Sequence, residues 1–574
     1  MKPLHSQKNS FRYLQLLTGL LFFSVSVFQN SSDIYSQVVN VSVDNGIYDF
    51  LEKMNLKGLI KLDDEVKPFS RNYIAGKIIE AVNLIAEKKS ALNSLEIEEL
   101  KFYSREYKFE IDFLLSSSLS IQSSYVMNFF SDLNERWYLL GYSDSLFNIK
   151  FSPIASYGIS AANKLSGHSR SIGISTYGSY SDWFGFSFDL RDKGEFGDNV
   201  DKKKYFSPLR GAWTKGAPNG IEYSDVKGSI NFNWKWGSIS LIKDYLQWGH
   251  GKFGQLILSD KSPSYPHIRL QLKPVEWLRF SYIHGWLSSQ IYDSAYFYNS
   301  YPGSISQTLI KSYIPKYIAA NIVTLSPLQW LDVSAGNAVI YGGELRPEFF
   351  LPFMFYKFLD HNSGRGDVND ANGVMYFDIA VKYPVNFKWY STLLIDVTEI
   401  RNILDNDFRN TWIGFTLGGK SIDLIIDNLD LSIEYTRINP WVYEHKNEVT
   451  NYKHLKYPLG HWLGQNADQF RIQFDFQLLR GLKFKLYNEY IRKGGLEEIY
   501  YAYSGMKIID LPFLYPPLRT ENRLGFEFIY EYLHDLILKG SYVYSDINDQ
   551  ESAREPVFMI GSKNSYSITL FYGL

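Results

Sequence analysis

From about residue 145 to its end, this chain places apolar residues at every second position, and the connections between these runs are short and long by turns. Ile230, Phe232, Trp234 and Trp236 alternate with Asn231, Asn233 and Lys235. Phe470, Ile472, Phe474 and Phe476 alternate with Arg471, Gln473, Asp475 and Gln477. A period of two is the signature of a strand with one apolar face. A soluble sandwich and a membrane barrel share that alternation and differ in which way the apolar face points. Connection length separates them. Tight turns recur at 273–277, 326–330, 383–387 and 479–481, while long Gly- and Asn-rich loops fall near 191–219, 285–312, 341–372, 438–467 and 492–520. Short turns at one end and long loops at the other are the pattern of an outer-membrane barrel. The expected fold is therefore an all-β transmembrane barrel of about 18 antiparallel strands, with both ends of the barrel on the periplasmic side. Phe474 should face lipid and Asp475 the lumen, since neighbours on a strand point oppositely. The last run, with Tyr566, Ile568, Leu570 and Tyr572 on one face, is an amphipathic terminal strand of the same kind.

Ahead of the barrel the pattern changes. Lys2, Lys8 and Arg12 precede the short apolar run Leu14 to Phe28, which reads as a secretory signal over residues 1–36, cleaved after Ser26 or near Ser36. Residues 37–107 read as a small helical module in the periplasm, and 108–574 as the barrel. Ile47, Phe50, Leu51 and Met54 share one helical face. Ile74, Ile78, Ala81, Val82 and Ile85 form the stripe of a second helix behind the N-cap Ser70, and Asn93 with Glu96 forms a capping box for a third. The segment 108–130 either adds strands or folds inside. No stretch approaches the ~18 apolar residues of a spanning helix. Aromatic residues make up 17% of the chain, which suits sheets and membrane interfaces. A net charge of −2 gives no basis for a nucleic-acid partner, and the absence of cysteine excludes disulfides and thiolate sites. The expected location is the cell outer membrane of a Gram-negative cell, with outer-membrane lipids as partners and a monomeric state.

No catalytic constellation emerges. Residues 414–421 (GFTLGGKS) match a phosphate-binding loop, yet they continue a strand and no helix follows to face a phosphate. Asp367, Asn369, Asp370 and Asn372 offer oxygen ligands at spacings that fail the calcium-loop pattern. Neither G-x-S-x-G nor H-E-x-x-H occurs. The chain is expected to be no enzyme and to carry no cofactor and no metal.

Two segments stand out. Residues 244–269 leave a strand with Trp248, Gly249, His250 and Gly251 and continue into the apolar run 256–258. Residues 345–361 carry Phe349, Phe350, Phe353, Phe355 and Phe358 inside an expected surface loop, flanked by Arg346, Glu348, Lys357 and His361. That many aromatics are expected to fold into the barrel mouth and close it, with the charged flanks lining a shallow outer groove. These segments, with Tyr48-Asp49-Phe50-Leu51, Gly58-Leu59-Ile60 and Lys67-Pro68-Phe69-Ser70 in the helical module, resemble the Wzi-type capsule assembly proteins of Gram-negative outer membranes. The resemblance covers most of the mature chain. It implies an 18-stranded barrel, a helical module at the periplasmic end and a lectin-like role, holding or organising capsular polysaccharide. Aromatic faces and planar polar groups suit sugars, which stack their CH faces and hydrogen-bond through their hydroxyls. The candidate sugar contacts are Trp248, His250, Trp286, Tyr298, Arg346, Glu348, Trp441 and Trp462. The expected function is non-enzymatic binding, anchoring or assembly of surface polysaccharide. The alternative is a porin or transport channel for a small solute or polysaccharide, because a barrel of this size can hold an aqueous pore.

Overall fold

The computed structural model describes residues 39–88, 92–115, 124–126, 136, 138–144, 146–300, 308–356, 371–397, 412–495, 511–551 and 556–573. The expected signal and the Asp367–Asp370 cluster lie outside them. Among the described residues, eighteen antiparallel strands close into one barrel. Closure comes from the last strand, Gly561–Tyr572, pairing with the first full one, Phe147–Ala162, from Ser565↔Ala162 to Tyr572↔Ala155. All four predicted tight turns lie at one end, and the long connections lie at the other. The hairpin at Asn163 and Lys164 is an exception, a tight turn at the long-loop end where Asn163 takes a left-handed φ of 53°. Residues 414–421 are part of the straight strand Trp412–Ser421, so the phosphate-loop pattern is a stave of the wall.

The two faces of the wall have opposite chemistry. On the strand Ala467–Leu479, Gln473 is buried and Asp475 lies 3.3 Å from Lys252, a residue of a loop inside the barrel. Phe470 is exposed on the other side, with Leu486, Leu524 and Phe526 exposed on the same face of the next two strands. The apolar face thus points outward, the inversion that lipid requires.

The helical module fills the short-turn mouth. Helix α1 (Ile47–Leu56) packs Ile47, Phe50, Leu51 and Met54 against Ile74, Ile78 and Ala81 of α2 (Arg71–Lys88) and against Phe102 and Tyr103 of α3 (Ser94–Glu106). Both expected caps form: Tyr73 N donates to Ser70 Oγ (3.1 Å), and Asn93 and Glu96 cap one another at 2.9 and 3.0 Å. Val82, read as part of the apolar stripe, is exposed. A fourth helix, α4 (Lys108–Leu115), extends beyond residue 107. It is held by Arg71, whose guanidinium reaches Glu110 at 2.5 Å and Glu106 at 2.8 Å. Several bases of the barrel's inner rim meet acids of the module, while Lys53 and Lys57 at the end of α1 meet Asp423 of the barrel. Glu52 meets Lys388 and Lys420 at 3.0 and 2.8 Å, and Arg279 meets Asp63 and Glu65 at 2.8 and 2.6 Å.

This face assignment carries a direct test. Phe474 sits midway along its strand on the lipid side, so Phe474→Arg should cost about 2–4 kcal/mol, read by urea unfolding in lipid vesicles. Asp475→Asn, in the lumen, keeps a hydrogen-bonding group for Lys252 and should cost far less. Equal losses at the two positions would contradict the register.

Candidate functional site

The long-loop end fills the barrel as the module does from the other side. After the strand Gly237–Asp244 the chain turns inward rather than out to solvent. Gln247 and Trp248 pair with Lys67 and Val66 of the module as a two-stranded sheet inside the lumen, and Gly249 N donates to Glu65 O at 2.8 Å. The apolar run that follows would leave backbone carbonyls unpaired in a dry interior, at a cost in free energy. Two tyrosines of the loop between 438 and 467 prevent this: Tyr443 Oη donates to Leu256 O (2.7 Å) and Tyr452 Oη to Ile257 O (2.9 Å). Trp462 adds its indole N–H to Phe253 O at 3.2 Å. Lys261 gathers a third loop by donating to the carbonyls of Lys204, Ser207 and Leu209 at 2.6–2.7 Å.

Where the inward loop meets the module, His250 sits between two carboxylates. Its Nδ1 bonds Asp378 of the wall and its Nε2 lies 3.2 Å from Asp64 of the module. Asp64 also takes Lys388 at 2.5 Å and Lys382 at 3.5 Å. Burial alone would lower the imidazole pKa, but the two carboxylates outweigh it and hold it at about 9. Asp64, His250 and Asp332 lie close enough for a shared cation. Lys382, Lys388 and Arg279 already supply the positive charge this cluster needs, so it reads as an ion-pair lock. A second trio, Glu531, His534 and Asp535, is likewise tied to Arg136 and to Glu106 of α3.

Seven of the eight residues singled out from the sequence fall into two groups. Trp248, Trp441 and Trp462 share one buried cluster with Leu256, Ile257, Tyr443 and Tyr452, and His250 is buried beside it. Trp248 has no exposed surface. All four are buried where the inward loop packs against the wall and the module, rather than standing at the surface as exposed sugar contacts would. Trp286, Arg346 and Glu348 lie on the outer side of the wall, where Trp286 meets His284 edge-on and Arg346 lies over the Phe349 ring at 5.7 Å. Tyr298 continues the strand Leu278–Ser300, and its side chain lies outside the described residues.

The segment from Leu345 also departs from expectation. It does not enter the barrel mouth. Pro347–Phe350 forms a short 3-10 turn, and the chain then runs down the outside of the wall to Tyr356. Its anchors are outward-facing: Phe353 stacks on Phe280 at 4.3 Å, and Phe350 stacks on His284 at 4.0 Å. The lumen at this level is already occupied by the inward loop, which excludes a second plug. Lys357, Phe358 and His361 lie outside the described residues.

What sequence reasoning missed is a protruding hairpin. The strands Leu278–Ser300 and Thr308–Leu328 run far beyond their neighbours and carry exposed Tyr292, Tyr296 and Phe297. Tyr292 stacks on Tyr313 at 5.0 Å, and Lys311 lies over the Tyr292 ring at 5.0 Å. The signal was present as unusual strand length, but 285–312 reads as a loop because its alternation is broken by two register shifts.

The junction at His250 predicts a pH dependence. A folded-state pKa raised from about 6.5 means the charged histidine stabilises the lock fully below about 6.5, and that contribution is lost as pH rises through about 9. Proteolysis of the helical module should therefore accelerate between pH of about 7 and about 10, with a step that His250→Gln abolishes. A step that survives in His250→Gln would assign it to other groups.

Comparisons with known proteins follow the same lines. The model of the family described as capsule assembly protein Wzi matches residues 219–556. Among solved structures, the Escherichia coli outer-membrane protein Wzi, described as a carbohydrate-binding β-barrel involved in group 1 capsule assembly, has a TM-score of 0.54 at 14% identity, covering 94% of this chain and all of that one. Pseudomonas aeruginosa OprD has a TM-score of 0.39 at 11% identity, covering 74% of this chain and 95% of that one. No curated protein matches the sequence. With its closed barrel, outward apolar belt and matching family model over more than half its length, this outer-membrane chain belongs to the capsule assembly protein Wzi family.

Proposed function

We propose that this barrel is a non-enzymatic binding protein that holds surface polysaccharide at the outside of the outer membrane. The observation that carries this reading is the filled lumen. An eighteen-stranded barrel is wide enough for an aqueous channel, and here the module and the inward loop meet inside it as one sheet. That removes the support for the transport alternative and leaves the long-loop end as the working surface. The long-loop end then faces the cell exterior and the helical module the periplasm. A closed barrel complete within one chain fits a monomer.

The binding surface we favour is the protruding hairpin. Tyr292, Tyr296 and Phe297 are exposed aromatic side chains, and Lys311 sets a cation beside Tyr292 and Phe297. Rings of this kind accept the CH faces of sugars, and the ammonium suits the carboxylates of acidic polysaccharides. Among the candidates read from the sequence, Trp286 and Glu348 lie on the outer wall near the base of this hairpin, where Trp286 pairs with Tyr317, and remain secondary contacts in this proposal, whereas Arg346 is buried against the Phe349 ring. Trp248, His250, Trp441 and Trp462 have no part in it.

Tyr292→Ala together with Tyr296→Ala should reduce retention of surface polysaccharide several-fold in cells, while heat-modifiable gel migration and barrel abundance stay unchanged. Unchanged retention in the double variant would remove the hairpin from the binding surface.

A further inference from the structure

On the outer face of a membrane barrel, side chains should be apolar and open to lipid. Below the long-loop end this holds: Val323, Leu325, Val333 and Phe377 are between 38% and 49% exposed. Beside and above these residues on the same face of the wall, the pattern fails twice. Phe280, Tyr282, His284 and Tyr341 are buried although they point away from the lumen, and two of their neighbours, Asn321 and Asn337, are amides. The segment Leu345–Tyr356 covers all six.

Its contact with the wall is polar underneath and apolar on top. Asn321 Nδ2 donates to Pro352 O and Met354 O at 2.9 and 2.8 Å, and Tyr356 N donates to Asn337 Oδ1 at 2.9 Å. Tyr282 Oη donates to Phe349 O at 2.9 Å, and Tyr356 Oη to Leu351 O at 3.2 Å. Pro347 and Pro352 have no N–H to satisfy. Exposed along the segment are Leu345, Leu351, Phe353 and Phe355; Phe353 lays one ring face on Phe280 and is still 69% exposed. Ala319 and Ala371 on the wall beneath leave the room that Tyr356 fills.

Depth follows from strand length. Exposed Trp277 and Trp330 mark the short-turn interface. Asn337 is about seven residues above Trp330, or roughly 18 Å on a strand rising ~3.3 Å per residue and tilted ~40°. Phe280 is only about three residues above Trp277. An apolar band about 25 Å tall would contain both, and Phe353 lies against Phe280. Irregular backbone is not tolerated in hydrocarbon unless its polar groups are satisfied by protein. The outward amides and phenols supply partners for the carbonyls of Phe349, Pro352 and Met354 and for the Tyr356 N–H, which gives a physical reason for asparagines on a lipid-facing wall.

We propose that the segment running down to Tyr356 is an intramembrane strap: it lies against the outside of the barrel within the bilayer and presents Leu351, Phe353 and Phe355 to lipid acyl chains. The patch is continuous with the lipid-facing belt, which fixes the occupant. The proposal is independent of the polysaccharide reading.

The chain contains no cysteine, so single nitroxide labels can be placed in the full-length protein. Phe353→Cys, Phe377→Cys in the belt and Tyr296→Cys on the hairpin would each be labelled and reconstituted in dimyristoylphosphatidylcholine vesicles. Accessibility to oxygen and to a water-soluble nickel chelate would be read by power saturation. The label at 353 should match that at 377, several-fold more accessible to oxygen relative to nickel than the label at 296. Nickel access like that at 296 would place the strap in water and overturn the proposal. Exclusion of both reagents would also overturn it, by showing that protein, such as a second copy of this chain, covers the strap. Adding Asn321→Val and Asn337→Val to Phe353→Cys should shift the label toward nickel while heat-modifiable migration persists. An unchanged label in that folded variant would refute the asparagines as anchors.

Discussion

The structure depends on how the lumen is filled, and the filling depends on buried charge. The inner wall of a membrane barrel is polar because its apolar face is committed to lipid, so a plug cannot be held at the rim mainly by apolar contact. Here acids of the module meet bases of the wall: Glu52 with Lys388 and Lys420, Asp63 and Glu65 with Arg279, Asp64 with Lys382 and Lys388. Buried ion pairs add little net stability over apolar packing, but removing one partner is costly because it strands the other. They fix position. His250 is the point at which the inward loop, the wall and the module share one network. Above it the chemistry turns apolar, with Trp248, Leu256, Ile257, Trp441 and Trp462 in one cluster. The barrel is thus locked by charge near the module and by packing toward the loops.

Much of the fold was legible in the sequence because barrel strands obey a rule with few exceptions. Alternation assigned Phe474 and Asp475 to opposite faces, and connection length separated a membrane barrel from a sandwich. Helical stripes and caps located the module, except at its end, where the Arg71 pairing with Glu110 carries α4 beyond Tyr107. The candidate site was less legible. Trp248, His250, Trp441 and Trp462 stand beside glycines and in long connections, which resembles exposed recognition loops. Direction is what such composition lacks: a loop that turns into a lumen has the same local sequence as one that faces solvent. Only the long-range partners, Val66 for Trp248 and Phe253 O for Trp462, decide it.

The segment at 345–356 shows the same limit from the other side. Its phenylalanines announced that it must be covered, and the lumen was the natural place. The outward amides of Asn321 and Asn337 decide otherwise, and each reads in sequence as an ordinary break in alternation. The protruding hairpin was missed for a related reason: its register shifts between Ser288 and Tyr292 and between Asp293 and Phe297 erase the period of two where the strands leave the membrane.

The central claim is that the lumen is closed from both ends and the protein acts at its outer surface. The most direct test is conductance of the full-length protein in a planar bilayer near neutral pH. A barrel filled by the module and the inward loop should insert and remain electrically silent, whereas steady, uniform current steps would show an open channel and contradict the account.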